Sequence, residues 1–303
     1  MKIAIAGGSG FVGRELIRQL SDEHFLYILT RNPDRFQNKQ NVTYIGWLQE
    51  GTAPEDYLRD IDAFINLAGT SLNSGRWTQP RKREIVESRL EAAKEMNRIL
   101  SQLDEKISVV INASAIGFYG TSEEQVFDES SESSGDDFLA KTVKLWEAEA
   151  SKSRAYSRRV VLTRFGVILG KEEGALPSIL LPYRLFAGGT VGNGRQWLSW
   201  IHIEDTAAAI HFCLTHPNIE GPVNLTSPSP SRMKDFGKTA GRILRRPHWL
   251  PVPSPALKAA LGEKSILVLK GQKVLPKKLL DAQFPFRYPD LDSALKNLLK
   301  KEV

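Results

Sequence analysis

Residues 2–13 read KIAIAGGSGFVG, and the fold is decided there. Lys2–Ala6 is a short apolar run of the length a buried strand needs. Gly7, Gly10 and Gly13 follow at intervals of three. From Phe11 the pattern changes to helical spacing, with Phe11, Leu16, Ile17 and Leu20 apolar. A strand, a glycine-rich turn and a helix are therefore expected in immediate succession. In that order glycines permit a tight turn and bring the helix close to the sheet. The backbone can also approach a bound pyrophosphate, which the free N–H groups of the helix start then face. A glycine triplet alone is weak evidence; its place between strand and helix makes it a dinucleotide signal, carried by Gly7, Ser9, Gly10, Phe11, Val12 and Gly13.

Outward from this stretch, strand-like and helix-like segments alternate. Further strands are expected at Phe25–Thr30, Val42–Ile45, Asp62–Ala68, Val109–Ser114 and Val160–Phe165. Helices are expected at Pro80–Leu100 and Asp136–Ala150, and later at Glu204–Leu214 with Asp205 or Thr206 near its N-cap. Pro222–Leu225 reads as one more strand. The alternation gives an α/β class, a Rossmann-type, doubly wound parallel sheet. A smaller C-terminal α/β or mainly helical domain is expected to follow. The boundaries are residues 1–230 for the dinucleotide-binding domain and 231–303 for the small one. Residues 176–200 are expected to contribute to the substrate lobe. Pro247, Pro251, Pro253 and Pro255 mark a hinge or extended linker.

The end of the second strand bears on the choice of dinucleotide. A carboxylate there would hold the ribose hydroxyl of NAD. Here the residues are Thr30 and Arg31, and a guanidinium suits a 2′-phosphate. NADP(H) is the expected cofactor, with NAD(H) the lesser alternative.

Composition narrows the remaining choices. The chain has 303 residues, 41% of them hydrophobic and 25% charged, which is ordinary for a globular protein. Its single cysteine, Cys213, excludes an internal disulfide, so a cytoplasmic location is expected. No secretory signal is expected at the N-terminus. Nor does any apolar run reach the length of a membrane helix, and no membrane partner is expected. Residues 231–303 hold 16 Lys/Arg against 6 Asp/Glu. Such a basic segment suits an anionic substrate, a nucleic acid or a membrane surface, although a solvated face is the plainer reading. Without any nucleic-acid motif, nucleic acid is not an expected partner. No metal site is expected.

Several blocks resemble one known group. They are GGSGFVG, Asn66–Gly69 (NLAG), Arg76–Thr78 (RWT), Ser114–Gly120 (SAIGFYG) and Arg164–Gly170 (RFGVILG), followed by Gly194–Asp205 (GRQWLSWIHIED) and Gly271–Leu280 (GQKVLPKKLL). With them the chain resembles, along essentially its whole length, the atypical extended short-chain dehydrogenase/reductases. Within these it is similar to the epimerase-like group, whose members carry names such as nucleoside-diphosphate-sugar epimerase and cell-division inhibitor and have their own small C-terminal domain. The resemblance implies further cofactor contacts at Leu67, Ala68, Glu84, Arg89 and Ile168. Core packing is the plain alternative for Leu67, Ala68 and Ile168, and a solvated helix face for Glu84.

The resemblance also implies a serine, tyrosine and lysine for proton transfer, the last two as Y-x-x-x-K. Ser114 matches the serine. The tyrosine position falls on Phe138 and the lysine position on Thr142, so this chain departs from the pattern. Tyr119 is the substitute donor expected first, with Lys141, Lys144 and His202 as alternatives. On the substrate side the resemblance points to Arg195 against a diphosphate, with Gln196, Trp197 and His202 beside it. Two functions stand open: an NADP(H)-dependent oxidoreductase or epimerase on a small, anionic or nucleotide-sugar-like molecule, and a non-catalytic NADP(H) sensor that contacts a partner. Neither the substrate nor the oligomeric state is legible here.

Overall fold

Seven strands form one parallel sheet: β1 (Lys2–Ala6), β2 (Phe25–Thr30), β3 (Val42–Gly46), β4 (Ala63–Asn66), β5 (Ile107–Ala115), β7 (Ser157–Phe165) and β11 (Gly221–Leu225). The labels between belong to short strands outside it: β6 (Val126–Phe127), β8 (Val167–Leu169), β9 (Trp197–Leu198) and β10 (Trp200–His202), then β12 (Ser231–Arg232) and β13 (Lys273–Val274). This is a computed structural model, and it describes residues 1–132 and 135–299.

The strand order is β11-β7-β5-β4-β1-β2-β3. From β1 the chain winds one way through β2 and β3, then returns to β4 and winds the other way. Between β1 and β4, paired through Ile3↔Ala63 to Ala6↔Asn66, the direction of winding reverses. In such sheets ligands bind beyond the carboxyl ends of the strands at that reversal. The doubly wound fold expected from the sequence is the fold observed.

Period-two alternation sends successive side chains of each strand to opposite faces. Ile3, Ile5, Ile65, Val109 and Ile111 enter one core layer with Leu16 and Leu20 of α1 (Phe11–Leu20). Ala4, Ala6, Phe64 and Val110 enter the other, against Ala92, Met96 and Ile99 of α2 (Gln79–Ser101) and Ala150 of α3 (Phe138–Ser151). Burial of each large aliphatic side chain contributes about 1.5–3 kcal/mol, so the two layers hold the strands in one register.

The small lobe is built jointly by distant parts of the chain. Leu176 and Leu180 of α4 (Leu176–Arg184) meet Leu198 and Trp200. Against them pack Met233, Phe236 and Ala240 of α6 (Met233–Leu244), and Leu291, Leu295 and Leu298 near the C-terminus. Between Ile201 and Gly221 the chain returns to the first core layer as α5 (Ile203–Thr215). Its N-cap is His202 rather than Asp205 or Thr206: the imidazole Nδ1 accepts the Glu204 N–H at 3.0 Å. Asp205 instead accepts the main-chain N–H groups of Arg287 and Tyr288, both at 2.9 Å, tying the C-terminal segment to α5.

The proline-rich stretch is an extended run hydrogen-bonded to the glycine loop. Trp249 N donates to Gly188 O, Val252 N to Thr190 O, and Gly192 N to Val252 O. Beyond it lie α7 (Ser254–Leu261) and α8 (Ile266–Leu269), in neither of which any residue is buried. The chain is fixed again at Gly271, where an added Cβ would come within 1.9 Å of Trp197 O. Residues 254–269 thus form a strap slung between two anchored points. The last two helices, α9 (Lys277–Asp281) and α10 (Leu291–Leu299), close the chain.

Candidate functional site

The three glycines of the first turn have separate duties. Gly7 adopts φ +78°, and a Cβ there would meet the Leu67 carbonyl at 2.8 Å. Gly13 seats α1 on the turn, since its Cβ would fall 2.4 Å from Gly7 O and 2.5 Å from Gly8 Cα. Gly10 is the exposed N-cap of α1, and a Cβ there meets only Gly7 O, at 3.2 Å. It supplies no side-chain cap, and the first turn holds no acidic residue. The helix start therefore keeps its positive end open to an anion.

Around this turn the carboxyl ends of the strands gather. Thr30 is buried and its Oγ1 accepts the Asn32 N–H, while Arg31 lies exposed. Among the described residues Arg31 makes no ion pair. Leu67 and Ala68 are half-buried beside Gly7, and the Ala68 N–H is held by Asn66 Oδ1 at 3.1 Å. Arg89 lies against Gly69 and donates to the carbonyls of Thr70 and Ile85. Burial brings its guanidinium down to about 10, with a push from Arg81, and among the described residues no carboxylate forms an ion pair with it. On the other side Phe11 covers Gly170 and Gly174, near the half-buried Ile168. Glu84 is exposed and paired with Arg81 at 2.7 Å.

Ser114 ends in a buried polar network. Its Oγ donates to Glu147 Oε1 at 2.5 Å. Arg164 grips the same carboxylate with two bonds of 2.8 Å and donates to the Tyr119 hydroxyl at 2.9 Å. That hydroxyl donates in turn to Asn224 Oδ1 at 2.8 Å. Burial opposes the charge on Arg164, but the bonds and attraction of Glu147 outweigh it and raise its pKa. Burial also raises the Tyr119 pKa, against the pull of Arg164.

Three of the residues assigned from the sequence are buried and already hydrogen-bonded. Tyr119 is fully buried among Ile116, Phe127 and Val274, and its hydroxyl joins Arg164 of β7 to Asn224 of β11. His202 is 1% exposed and spends both ring nitrogens on Glu204 N and Asn297 Oδ1, as a helix cap. Gln196 is buried too, and its amide nitrogen fastens the loop carbonyl of Val191 to Val268 of the strap. Trp197 remains half-buried, with the Arg232 guanidinium 3.8 Å from its ring centroid. Arg195 is exposed and lies 3.2 Å from Glu123.

A groove of about 510 Å³ opens between the N-terminal turns of α2 and α3, lined by Gln79, Lys82, Arg83, Val86, Glu87, Phe138 and Lys141. Phe138 stands at the mouth of α3 with Trp77 packed edge-on at 5.4 Å, and Thr142 bonds back to the Phe138 carbonyl. The strap reaches this place: Glu263 pairs with Lys82, Arg76 donates to Ala260 O, and Lys264 to Asn73 O. The sequence reading missed Lys82 and Arg83, because only tertiary packing brings them to Phe138. The buried pair it also missed had a signal, a lone arginine inside the apolar strand VVLTRF. Away from the glycine turn, at the amino end of β2, Glu23, His24 and His211 bring ligand-type atoms within 4.8 Å of one another. No described helix is long and apolar enough to cross a membrane.

Residues 3–225 match the NAD dependent epimerase/dehydratase family, and residues 252–298 match a domain of unknown function. The chain is 50% identical to the epimerase family protein YfhF of Bacillus subtilis, over 99% of this chain and 98% of that protein. It superimposes on the human epimerase family protein SDR39U1, crystallised with NADPH, with a TM-score of 0.85 and 29% identity, covering 98% of this chain and 99% of that one. The nucleoside-diphosphate sugar epimerase of Corynebacterium glutamicum matches with a TM-score of 0.77 and 30% identity, over 99% of this chain and 58% of that one.

Proposed function

From the premise that the chain belongs to the NAD dependent epimerase/dehydratase family, we propose that it binds NADP(H) and works as an epimerase-like oxidoreductase on a small anionic molecule of nucleotide-sugar type. The observation that carries the cofactor assignment is the uncapped start of α1 with Arg31 beyond it. Gly7, Ser9, Gly10, Phe11, Val12 and Gly13 would receive the pyrophosphate, and Thr30 and Arg31 the 2′-phosphate of the adenosine. Leu67 and Ala68 would border the adenosine, Ile168 the nicotinamide, and Arg89 would offer its unpaired charge. Glu84, held by Arg81, is the weakest member of that set. The human relative's complex with NADPH supports the same cofactor. When bound, it supplies a hydride donor or acceptor.

The substrate reading rests on three cations, Lys82, Arg83 and Lys141, around Phe138, with Arg195 and Trp197 proposed beside them as the sequence suggests. Residues 1–230 would serve the cofactor. Residues 231–303, of which those to 299 are described, would complete the substrate lobe together with 176–200. Ser114, 2% exposed with its hydroxyl on Glu147, is proposed to contact substrate at the end of β5 by exchanging that bond.

The sensor reading keeps one specific support: Phe138 cannot donate a proton where the family's tyrosine stands, and Tyr119 does not replace it. Two measurements separate the readings. Calorimetry on wild type and Arg31→Ala should give tighter NADPH than NADH binding, and a loss on the order of 1.5–3 kcal/mol for NADPH in the variant. NADPH oxidation across a panel of carbonyls and nucleotide sugars should then find a substrate whose turnover falls in Ser114→Ala at unchanged NADPH affinity. Equal NADPH and NADH affinity sinks the cofactor assignment; binding without turnover on any substrate gives the sensor.

A further inference from the structure

Five large apolar side chains stand out from the small lobe, on the end of α4 and on the extended segment beside it. Leu181 is 54% exposed, Leu185 68%, Phe186 55%, Trp249 67% and Leu250 46%. They are one patch. Leu181 and Leu185 are four apart at the end of α4, and Phe186 follows. Trp249 Nε1 donates to Phe186 O at 2.9 Å, and the N–H groups of Trp249 and Leu250 share Gly188 O. Phe186 holds its exposed ring at φ +60°, in the left-handed region that side chains other than glycine rarely adopt. A solvent-facing turn would ordinarily place glycine or asparagine there.

The charge on the two segments that carry the patch has one sign. No acidic residue occurs between Glu173 and Glu204, nor between Asp235 and Glu263, while the two intervals hold seven Lys and Arg. Arg184 and Arg245 are exposed, and the Arg246 guanidinium sits 4.2 Å from the Phe186 ring centroid. The patch is formed by protruding side chains. Trp, Phe and Leu with arginines on the same segments form the composition that enters the headgroup region of an anionic bilayer: rings and leucines reach the acyl boundary while arginines meet phosphate.

We propose that this face of the small lobe docks reversibly on an anionic lipid surface. The contact is peripheral and departs from the expectation of no membrane partner, which rested on the lack of a spanning segment. It leaves the proposed cofactor turn and the groove at Phe138 untouched, so it stands or falls apart from the proposed function.

The test uses the full chain with vesicles of phosphatidylcholine, with and without phosphatidylglycerol. Sedimentation should occur with the anionic vesicles only and weaken with added salt. Lipid carrying bromine near the headgroup should quench Trp249, since the other five tryptophans are buried or half-buried. Phe186→Ser with Trp249→Ser should weaken vesicle binding about tenfold or more, and Arg184→Gln with Arg246→Gln should reduce its salt dependence. NADPH affinity and melting temperature should not change in either. Equal binding to neutral vesicles, or unaltered binding by both double variants, overturns the proposal. So does a concentration-dependent dimer that the aromatic variant abolishes without any vesicle binding, which assigns the face to a second copy. Binding to polyglutamate but not to vesicles assigns it to an acidic protein.

Discussion

At the scale of single residues, the buried carboxylate of Glu147 governs the end of β5. It receives Ser114 Oγ and two bonds from Arg164, which leaves the third arm of the guanidinium for Tyr119. A buried ion pair gives little net stability over an apolar pair, but breaking one leaves a charge without a partner. Glu147→Ala should therefore cost about 3–5 kcal/mol in chemical unfolding. Tyr119→Phe removes one hydroxyl from Arg164 and Asn224 and should cost about 1–3 kcal/mol. Because the phenol braces the core, NADPH affinity should hold in Tyr119→Phe, and so should turnover per folded molecule. A loss of turnover at unchanged stability would return Tyr119 to the reaction.

At the scale of elements, the first turn separates packing from binding. Gly13→Ala drives a methyl into Gly7 O and the Gly8 backbone, so α1 must shift and stability should fall by about 1–3 kcal/mol or more. Gly10 is extended at its N-cap and nearly open in front. Gly10→Val should thus keep the melting temperature close to wild type while abolishing NADPH binding in calorimetry. Near-normal affinity would move the cofactor off this turn. The cap of α5 adds a pH dependence. Burial lowers the His202 pKa, although Glu204, Asn297 and Glu15 pull the other way and Arg287 assists. The folded chain then keeps the ring neutral where the unfolded chain takes up a proton. That contribution is complete above the unfolded pKa near 6.5 and is lost as pH falls through the folded value. Protonation also removes the Nδ1 lone pair that caps Glu204 N. His202→Asn, which can cap without titrating, should flatten the decline in melting temperature between pH 7.5 and 5.5. An unchanged slope would place that dependence elsewhere.

At the scale of the whole molecule, the small lobe is held by the far end of the chain. Leu291, Leu295 and Leu298 fill the core shared with Leu176 and Trp200, whereas the strap buries nothing on α7 or α8. Stopping the chain after residue 290 should expose that core, with loss of protection from hydrogen exchange in 176–200 and in α6. The sheet residues Ile3–Ala6 and Val109–Ile111 should stay protected, since their layers draw nothing from α10. In the intact chain residues 254–269 should exchange ahead of their anchors at Val252 and Gly271, because local opening there exposes little apolar surface. Uniform loss of protection after truncation would mean that the lobe and sheet unfold as one unit.

The sequence by itself determined what short-range rules control. Strand period, glycine spacing and helix period located β1, the turn and α1, and the alternation of segments gave the doubly wound sheet. Those signals are legible because each is written within a few residues and is enforced by backbone sterics. Only the tertiary structure decided which of these side chains are buried and which lie open. Ser114 lies at the carboxyl end of β5 and Tyr119 just beyond it, the right address in sequence. Yet the phenol is wholly buried, because Arg164 and Asn224 arrive from β7 and β11 to take its hydroxyl. Lys82, Arg83 and Lys141 carry no local mark, and they meet at Phe138 only because α2 and α3 pack side by side. The basic C-terminal run likewise announced a charge; its neighbourhood with Leu185 and Phe186, some 60 residues earlier, exists only in the folded chain. Contacts between residues distant in sequence depend on which surfaces the core brings together, and no local pattern encodes that choice.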